Sequence, residues 1–342
     1  MKTSAQKIFL FGVMILITLS FGRYSKGEVE TGLDKKEEKI KLTPAALEET
    51  VIEAVRALEE DKQKKEEEAL VASNLLKGGG EFASKARQKE ELEILQKEPE
   101  FLPDFSASVA SVSNLKTRDV FFEYEASRRW PMASITKLMT AAVALRKIDQ
   151  AAVVEIKEKD FELLGGVGLK LKTGEEYSRD DLLDLILGIS NNEAAEALAN
   201  FYGRENFMAE MNAQAKEWGL NNTYFKDPTG ISVSNQSTAS DLRELAIRIY
   251  NEEPTIFEIT RRPKVDVKEL GANKIYRFDN INTFASRKDF MGGKTGYTDE
   301  AQQNLLSIFK YGNQLVLVIV LGTSDRFTQT DNLFNWYKNI YL

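Results

Sequence analysis

Hydrophobic and polar positions divide this chain into three stretches. Behind a short basic start, residues 8–22 are almost continuously apolar. Fifteen helical residues reach about 22 Å, less than the roughly 30 Å of a hydrocarbon core, so the run is expected to be the core of an export signal. Ser20 and Gly22 are small enough to flank a cleavage point, while the lack of an Ala-x-Ala site leaves a retained anchor as the alternative. Residues 1–22 are therefore expected to be a signal peptide or an N-terminal membrane anchor. Residues 23–100 are strongly charged and poor in aromatics. Thr43-Pro44 reads as a helix start, and Leu47, Val51, Ala54, Val55 and Leu58 follow at helical spacing. Gly78-Gly79-Gly80 interrupts the pattern, and a second helical stretch, 81–97, stops before Pro99 and Pro103. A charged helical or disordered stalk is expected, with a coiled-coil partner surface as the alternative.

From residue 101 the texture becomes that of a packed domain. Segments 105–113 and 119–124 read as strands. The run 133–145, rich in Ala, Leu and Met, reads as a helix behind Trp130-Pro131. Segment 180–189 is amphipathic, and 193–199 forms a second helix after a short link. Two apolar runs, 304–309 and 314–321, flank Tyr311-Gly312-Asn313 as a hairpin. A last helix, 325–341, carries Phe334, Trp336, Tyr337, Ile340 and Tyr341, which are expected to pack onto the sheet. Strands at both ends of a helical middle predict an α+β fold over residues 101–342.

Composition narrows the chemistry. The chain has no histidine and no cysteine. Ser-His-Asp triads, Cys-His pairs, histidine-ligated zinc, disulfides and lipoprotein attachment are thereby excluded. A net charge of −7 argues against nucleic acid as a partner. What remains for a hydrolase is a serine activated by an amine.

Ser-x-x-Lys occurs four times, at Ser4, Ser113, Ser134 and Ser307, but only Ser134-Ile135-Thr136-Lys137 opens a predicted helix. There, positions i and i+3 share a face, so Lys137 can reach the Ser134 hydroxyl. Lys-Thr-Gly occurs twice. Lys172-Thr173-Gly174 precedes Glu175, Glu176 and a Ser178 cap and reads as a turn with a solvated lysine. Lys294-Thr295-Gly296 follows Gly292-Gly293 and enters the hairpin, where glycines permit close approach of a substrate backbone. Ser190-Asn191-Asn192 lies in the link between two helices, and its bland reading is a helix cap. Ser190 follows Ser134 by 56 residues, and Lys294 follows Ser190 by 104.

This order and spacing resemble the penicillin-recognising serine enzymes, and among them the D-alanyl-D-alanine carboxypeptidases. The stretches Arg129 to Ala141, Leu182 to Ala195, Phe225-Lys226-Asp227-Pro228-Thr229-Gly230-Ile231, Ser237 to Leu242 and Gly293 to Thr298 look like that family over about 101–342. The resemblance implies a β-lactamase/transpeptidase-like fold: an antiparallel sheet flanked by helices, plus an all-helical subdomain, without the additional C-terminal β-domain of many relatives. It also implies roles. Ser134 would be the nucleophile, Lys137 its base, Ser190 a proton relay and Asn192 a holder of Lys137 and substrate. Lys294, Thr295, Gly296 and Tyr297 would bind substrate, with Lys294 and Thr295 on its terminal carboxylate. The backbone N–H groups of Ser134 and Tyr297 would form the oxyanion hole. Arg277 corresponds loosely to a basic family position. Two departures stand out: Gln302-Gln303 replaces small residues, and Asn191 replaces a glycine or alanine whose absence is expected to narrow the cleft.

An ordinary lysine is charged at neutral pH, so Lys137 needs burial or a second cation, for which Lys294 is the candidate, to act as a base. The expected reaction removes the terminal D-alanine from peptidoglycan stem pentapeptides outside the cytoplasm. Penicillins are expected to acylate the same serine, and no metal or organic cofactor is implied. Two other readings are open. A serine β-lactamase would need a deacylating carboxylate, and Glu217-Trp218-Gly219-Leu220-Asn221 fits one such pattern. A wall-binding or antibiotic-sensing protein would keep the pocket without turnover.

Overall fold

The computed structural model describes residues 103–161 and 171–341. The apolar segment at 8–22 and the charged stalk with its two expected helices lie outside the described residues. Among the described residues no helix is long and apolar enough to cross a membrane.

Strands β1 (Val109–Asn114) and β2 (Val120–Tyr124) open the domain, followed by β3 (Trp130–Pro131), a 3₁₀ turn at Ala133–Thr136 and helix α1 (Lys137–Lys147). The helical middle contains β4 (Val153–Glu155), β5 (Glu176–Ser178), α2 (Arg179–Gly188), α3 (Asn192–Tyr202) and α4 (Arg204–Glu217). It continues through β6 (Gln236–Ser237), α5 (Ala239–Glu252), α6 (Thr255–Thr260), β7 (Lys264–Glu269) and β8 (Lys274–Asp279). The chain closes with β9 (Phe290–Thr298), β10 (Gln302–Tyr311), β11 (Gln314–Thr323) and α7 (Arg326–Ile340). A five-stranded antiparallel sheet has the order β2-β1-β11-β10-β9, and a smaller one runs β4-β5-β7-β8. This is the expected α+β arrangement.

The large sheet is covered on both faces, which explains why 314–321 reads as an unbroken apolar run. Leu315, Leu317, Ile319 and Leu321 of β11 join the core shared with the helices, while Val316, Val318 and Val320 join Leu333, Phe334 and Tyr337 of α7. Phe309 of β10 stacks on Phe334 with ring centroids 4.4 Å apart. The hairpin closes with Tyr311 opposite Gln314 and Gly312 at φ +57°, a conformation that suits glycine. The aromatic residues of the last helix therefore pack on the sheet, as expected.

Three boundaries differ from the sequence reading. The first strand begins at Val109, because Phe105 instead sets its ring edge-on to Phe122 and Tyr124, 5.2 and 5.3 Å away. A short strand, β5, separates the Lys172-Thr173-Gly174 turn from α2, whose cap is Ser178 accepting from the Asp181 amide at 3.0 Å. The helix expected over 133–145 becomes regular only at Lys137, because Ala133 has φ +48° and the next turn is 3₁₀. In a 3₁₀ turn residues i and i+3 eclipse, so the change aligns Ser134 with Lys137 rather than parting them.

Candidate active site

The backbone around Ser134 is wedged. Met132 N–H donates to the Asn235 carbonyl at 2.9 Å, and Asn304 Nδ2 of β10 donates to the Pro131 carbonyl at 2.9 Å. Gly230 and Gly296 lie against the Met132–Ser134 segment. A Cβ on Gly230 would overlap the Ala133 carbonyl, and one on Gly296 would come within 2.8 Å of the Met132 carbonyl oxygen. Ala133 bears left-handed strain, which only such packing would sustain in a non-glycine residue.

Lys137 is buried, and its Nζ has three partners: Ser134 Oγ at 2.9 Å, Asn192 Oδ1 at 2.7 Å and the Thr229 carbonyl at 2.6 Å. Two of these are acceptors only. A neutral amine has two N–H bonds and one lone pair. With its hydrogens on Asn192 and Thr229, its lone pair is left for the Ser134 hydroxyl proton. Burial lowers the Lys137 pKa from 10.5 to about 7, against the opposing pull of Asp227, Glu193 and Glu196. Of the two causes the sequence left open, burial or a second cation such as Lys294, desolvation by burial is the leading one.

Lys294 on β9 is also buried, and its Nζ donates to Ser190 Oγ at 2.8 Å and to the Thr295 carbonyl at 3.0 Å. Its pKa is pushed well down by burial, then by Lys137 and Arg326. Ser190 reaches this position from the α2–α3 link through a left-handed backbone, φ +60°. The bland reading of that link holds in part: Asn191 caps α3 by accepting from the Ala194 amide at 2.6 Å. Its side chain also donates to Glu193 at 2.7 Å and is buried, so it serves the cap instead of narrowing the cleft. The fold therefore brings the five residues into two groups, Ser134 and Asn192 on Lys137, and Ser190 on Lys294. Thr295 and Gly296 are buried on the same strand, and Tyr297 is exposed at its end.

The competing motif copies fall apart. Ser113 and Ser307 are buried within β1 and β10 while Lys116 and Lys310 are exposed, so neither pair can meet. Lys172 is exposed in its turn. Glu217 is an exposed residue at the end of α4 that accepts from Gln214 at 3.1 Å, and it touches neither Ser134 nor Lys137. Arg277 lies on β8 and pairs with Asp266 at 2.6 Å in solvent, so it is no part of this site.

A sequence profile of the D-alanyl-D-alanine carboxypeptidases matches residues 96–325. The chain belongs to this family. It is 33% identical over 246 residues to the D-alanyl-D-alanine endopeptidase of Escherichia coli, covering 69% of this chain and 78% of that protein. It is 32% identical to the D-alanyl-D-alanine carboxypeptidase DacF of Bacillus subtilis, over 61% of this chain and 55% of that one. The crystal structure of a D-alanyl-D-alanine carboxypeptidase from Mycobacterium tuberculosis superposes with TM-score 0.65 at 26% identity, covering 70% of this chain and 93% of that one. Penicillin-binding protein D2 of Listeria monocytogenes, solved in its ampicillin-bound form, gives TM-score 0.62 at 26% identity, covering 71% and 100%. As a member of this carboxypeptidase family, the chain is a serine hydrolase of the penicillin-binding type, and neither the lactamase nor the sensor reading is favoured.

Within that family frame, two features escaped the sequence reading. Arg326, the first residue of α7, donates from Nη1 to the Gly296 carbonyl at 2.8 Å, and its Nε is buried without a hydrogen-bond partner among the described residues. No local pattern marks it. It reaches the end of β9 only because β11, which it follows, lies one strand removed. The other feature is the Thr229 carbonyl that holds Lys137, a backbone atom invisible to any side-chain motif. Gln302 has φ +55°, a left-handed conformation that costs a non-glycine residue roughly 1–2 kcal/mol.

Proposed function

We propose that Ser134 Oγ attacks the carbonyl of the penultimate D-alanine of a peptidoglycan stem peptide. Its proton passes to Lys137 Nζ as the O–C bond forms. That proton is relayed through the Ser190 hydroxyl, held by Lys294, to the departing amine as the C–N bond breaks; water then attacks the acyl-enzyme carbonyl and its proton returns to Ser134 Oγ as the ester bond breaks. The backbone N–H groups of Ser134 and Tyr297 meet the oxyanion, each such donor being worth about 2.7 to 4 kcal/mol. Lys294, Thr295 and Arg326 read the free carboxylate of the terminal residue, whose negative charge offsets the burial and neighbouring cations that lower the Lys294 pKa. Penicillins acylate the same hydroxyl.

The observation that carries this reading is the Lys137 amine, buried and held by two obligate acceptors at 2.7 and 2.6 Å, with Ser134 Oγ at 2.9 Å. We also assign residues 101–342 as the catalytic domain, working outside the cytoplasm. Residues 1–22 would export or anchor it and 23–100 would space it, on composition alone. A second reading concerns the leaving group. Relatives from Escherichia coli and Pseudomonas aeruginosa that match over 78% of their own length are named D-alanyl-D-alanine endopeptidases. A cross-linked acceptor residue with a free carboxylate presents the same handle to Lys294 and Arg326.

Mass spectrometry after penicillin treatment tests the chemistry. An adduct on Ser134, absent in Ser134→Ala, is expected, and an adduct elsewhere or none overturns the assignment. Incubation with a defined pentapeptide monomer and a cross-linked dimer then separates D-alanine release from cross-link cleavage.

A further inference from the structure

The loop after α4 converges on the Ser134–Lys137 pair, and one carboxylate organises it. Asp227 is buried, and among the described residues its side chain accepts hydrogen bonds from its own loop. Oδ1 accepts from the Thr229 amide at 2.8 Å, the Thr229 hydroxyl at 2.7 Å and the Gly230 amide at 2.7 Å. Oδ2 accepts from the Ser232 amide and from Asn235 Nδ2, both at 2.9 Å. A carboxylate accepting from this many N–H and O–H donors fixes the backbone around it.

Three parts of that loop touch the chemistry. The Thr229 carbonyl accepts from Lys137 Nζ at 2.6 Å, the Pro228 carbonyl accepts from Thr140 Oγ1 of α1 at 2.6 Å, and Gly230 packs on Ala133 and Ser134. The Asn235 carbonyl holds the Met132 amide on the other side of the strained Ala133. The loop therefore grips both the base and the backbone of the nucleophile.

We propose that Asp227 is a positioning residue for acylation: it presets the 227–235 loop so that the Thr229 carbonyl directs the Lys137 lone pair at Ser134. This rests on the acyl-transfer reading above. The titratable groups facing Lys137 are Asp227 from the loop, Glu193 and Glu196 from α3, and Lys294 from β9, whose pKa Lys137 helps to lower. Asp227 also favours the ammonium that forms when Lys137 takes the serine proton. Its removal is expected to weaken the base as well as loosen it.

Asp227→Asn is the sharpest probe. The amide keeps one oxygen but turns an N–H₂ toward the Ser232 amide and Asn235 Nδ2, which are donors themselves. The rate constant for acylation by a fluorescent penicillin, normalised to folded protein, is expected to fall about 10²-fold, the scale of a small misplacement. The acid limb of its pH profile is expected to move to lower pH, which a merely structural residue would not cause. Thr229→Val removes one donor to Oδ1 while keeping both the carbonyl and the Asp227 charge. It is expected to slow acylation several-fold with the limb unmoved, and it decides the question if Asp227→Asn fails to fold. An unchanged rate constant in the folded variant overturns the positioning role. Wild-type protein that takes no adduct on Ser134 overturns the acyl-transfer reading instead, so the two failures are told apart.

Discussion

The most exacting consequence of the site concerns proton concentration. Burial brings the Lys137 pKa from 10.5 to about 7, which corresponds to about 5 kcal/mol of disfavoured charge. Were the amine unperturbed, roughly one molecule in three thousand would hold it neutral at pH 7, and acylation would be slowed by that factor. With the value near 7, about half the molecules are competent. The second-order rate constant for penicillin acylation, followed by stopped-flow fluorescence, is expected to level off above about pH 8. Below pH 7 it falls about tenfold per pH unit. Stability follows the same group with a defined sign. The folded state binds fewer protons than the unfolded chain between about pH 7 and 10.5, so unfolding free energy rises with pH across that window and the penalty is fully present below it. Lys294, pushed down by its own burial, adds to this slope. An acylation rate independent of pH between 5 and 8, or a limb near 10, would refute the argument that desolvation makes Lys137 the base.

Two further outcomes test other parts of the site. Gly230→Ala puts a Cβ into the Ala133 carbonyl at a φ of +87°, so thermal unfolding is expected about 4–10 °C lower and acylation about 10²-fold slower; wild-type values for both would show that the loop does not wedge the nucleophile. Arg326→Gln removes a cation from the proposed carboxylate site, and steady-state assays of D-alanine release should show KM raised about 10- to 100-fold with a smaller change in kcat, the opposite split refuting a binding role.

How far such a site can be read from sequence depends on how local its signals are. The hairpin was legible because its two apolar runs, 304–309 and 314–321, and the Gly312 turn between them point the same way. Ser134 was separable from Ser113 and Ser307 because two of those serines lie in strand patterns, where i and i+3 face opposite sides. The onset of α1 was not legible. Ala133 is a good helix former, and its left-handed φ is imposed by Gly230 and Gly296 from remote parts of the chain. Arg277 and Arg326 show the same limit from the other direction. A basic residue close in sequence to the third motif lies far out on β8, while one following β11 sits beside Gly296. The tuning of Lys137 was anticipated in direction, but the choice between burial and a second cation was not, because desolvation depends on how completely α1 is enclosed.

The pairing of β1 with β11 has a consequence in time. Val109 lies opposite Leu321, so the opening strand of the domain waits for nearly the last part of the chain before its central partner exists. Contacts of such separation form late and slowly. The lysine of β9 and the arginine of α7 arrive with the same closing segment. A chain threaded across a membrane from its N-terminus would therefore carry an inert serine throughout transit, and become able to react with wall peptides only when its tail has emerged and docked.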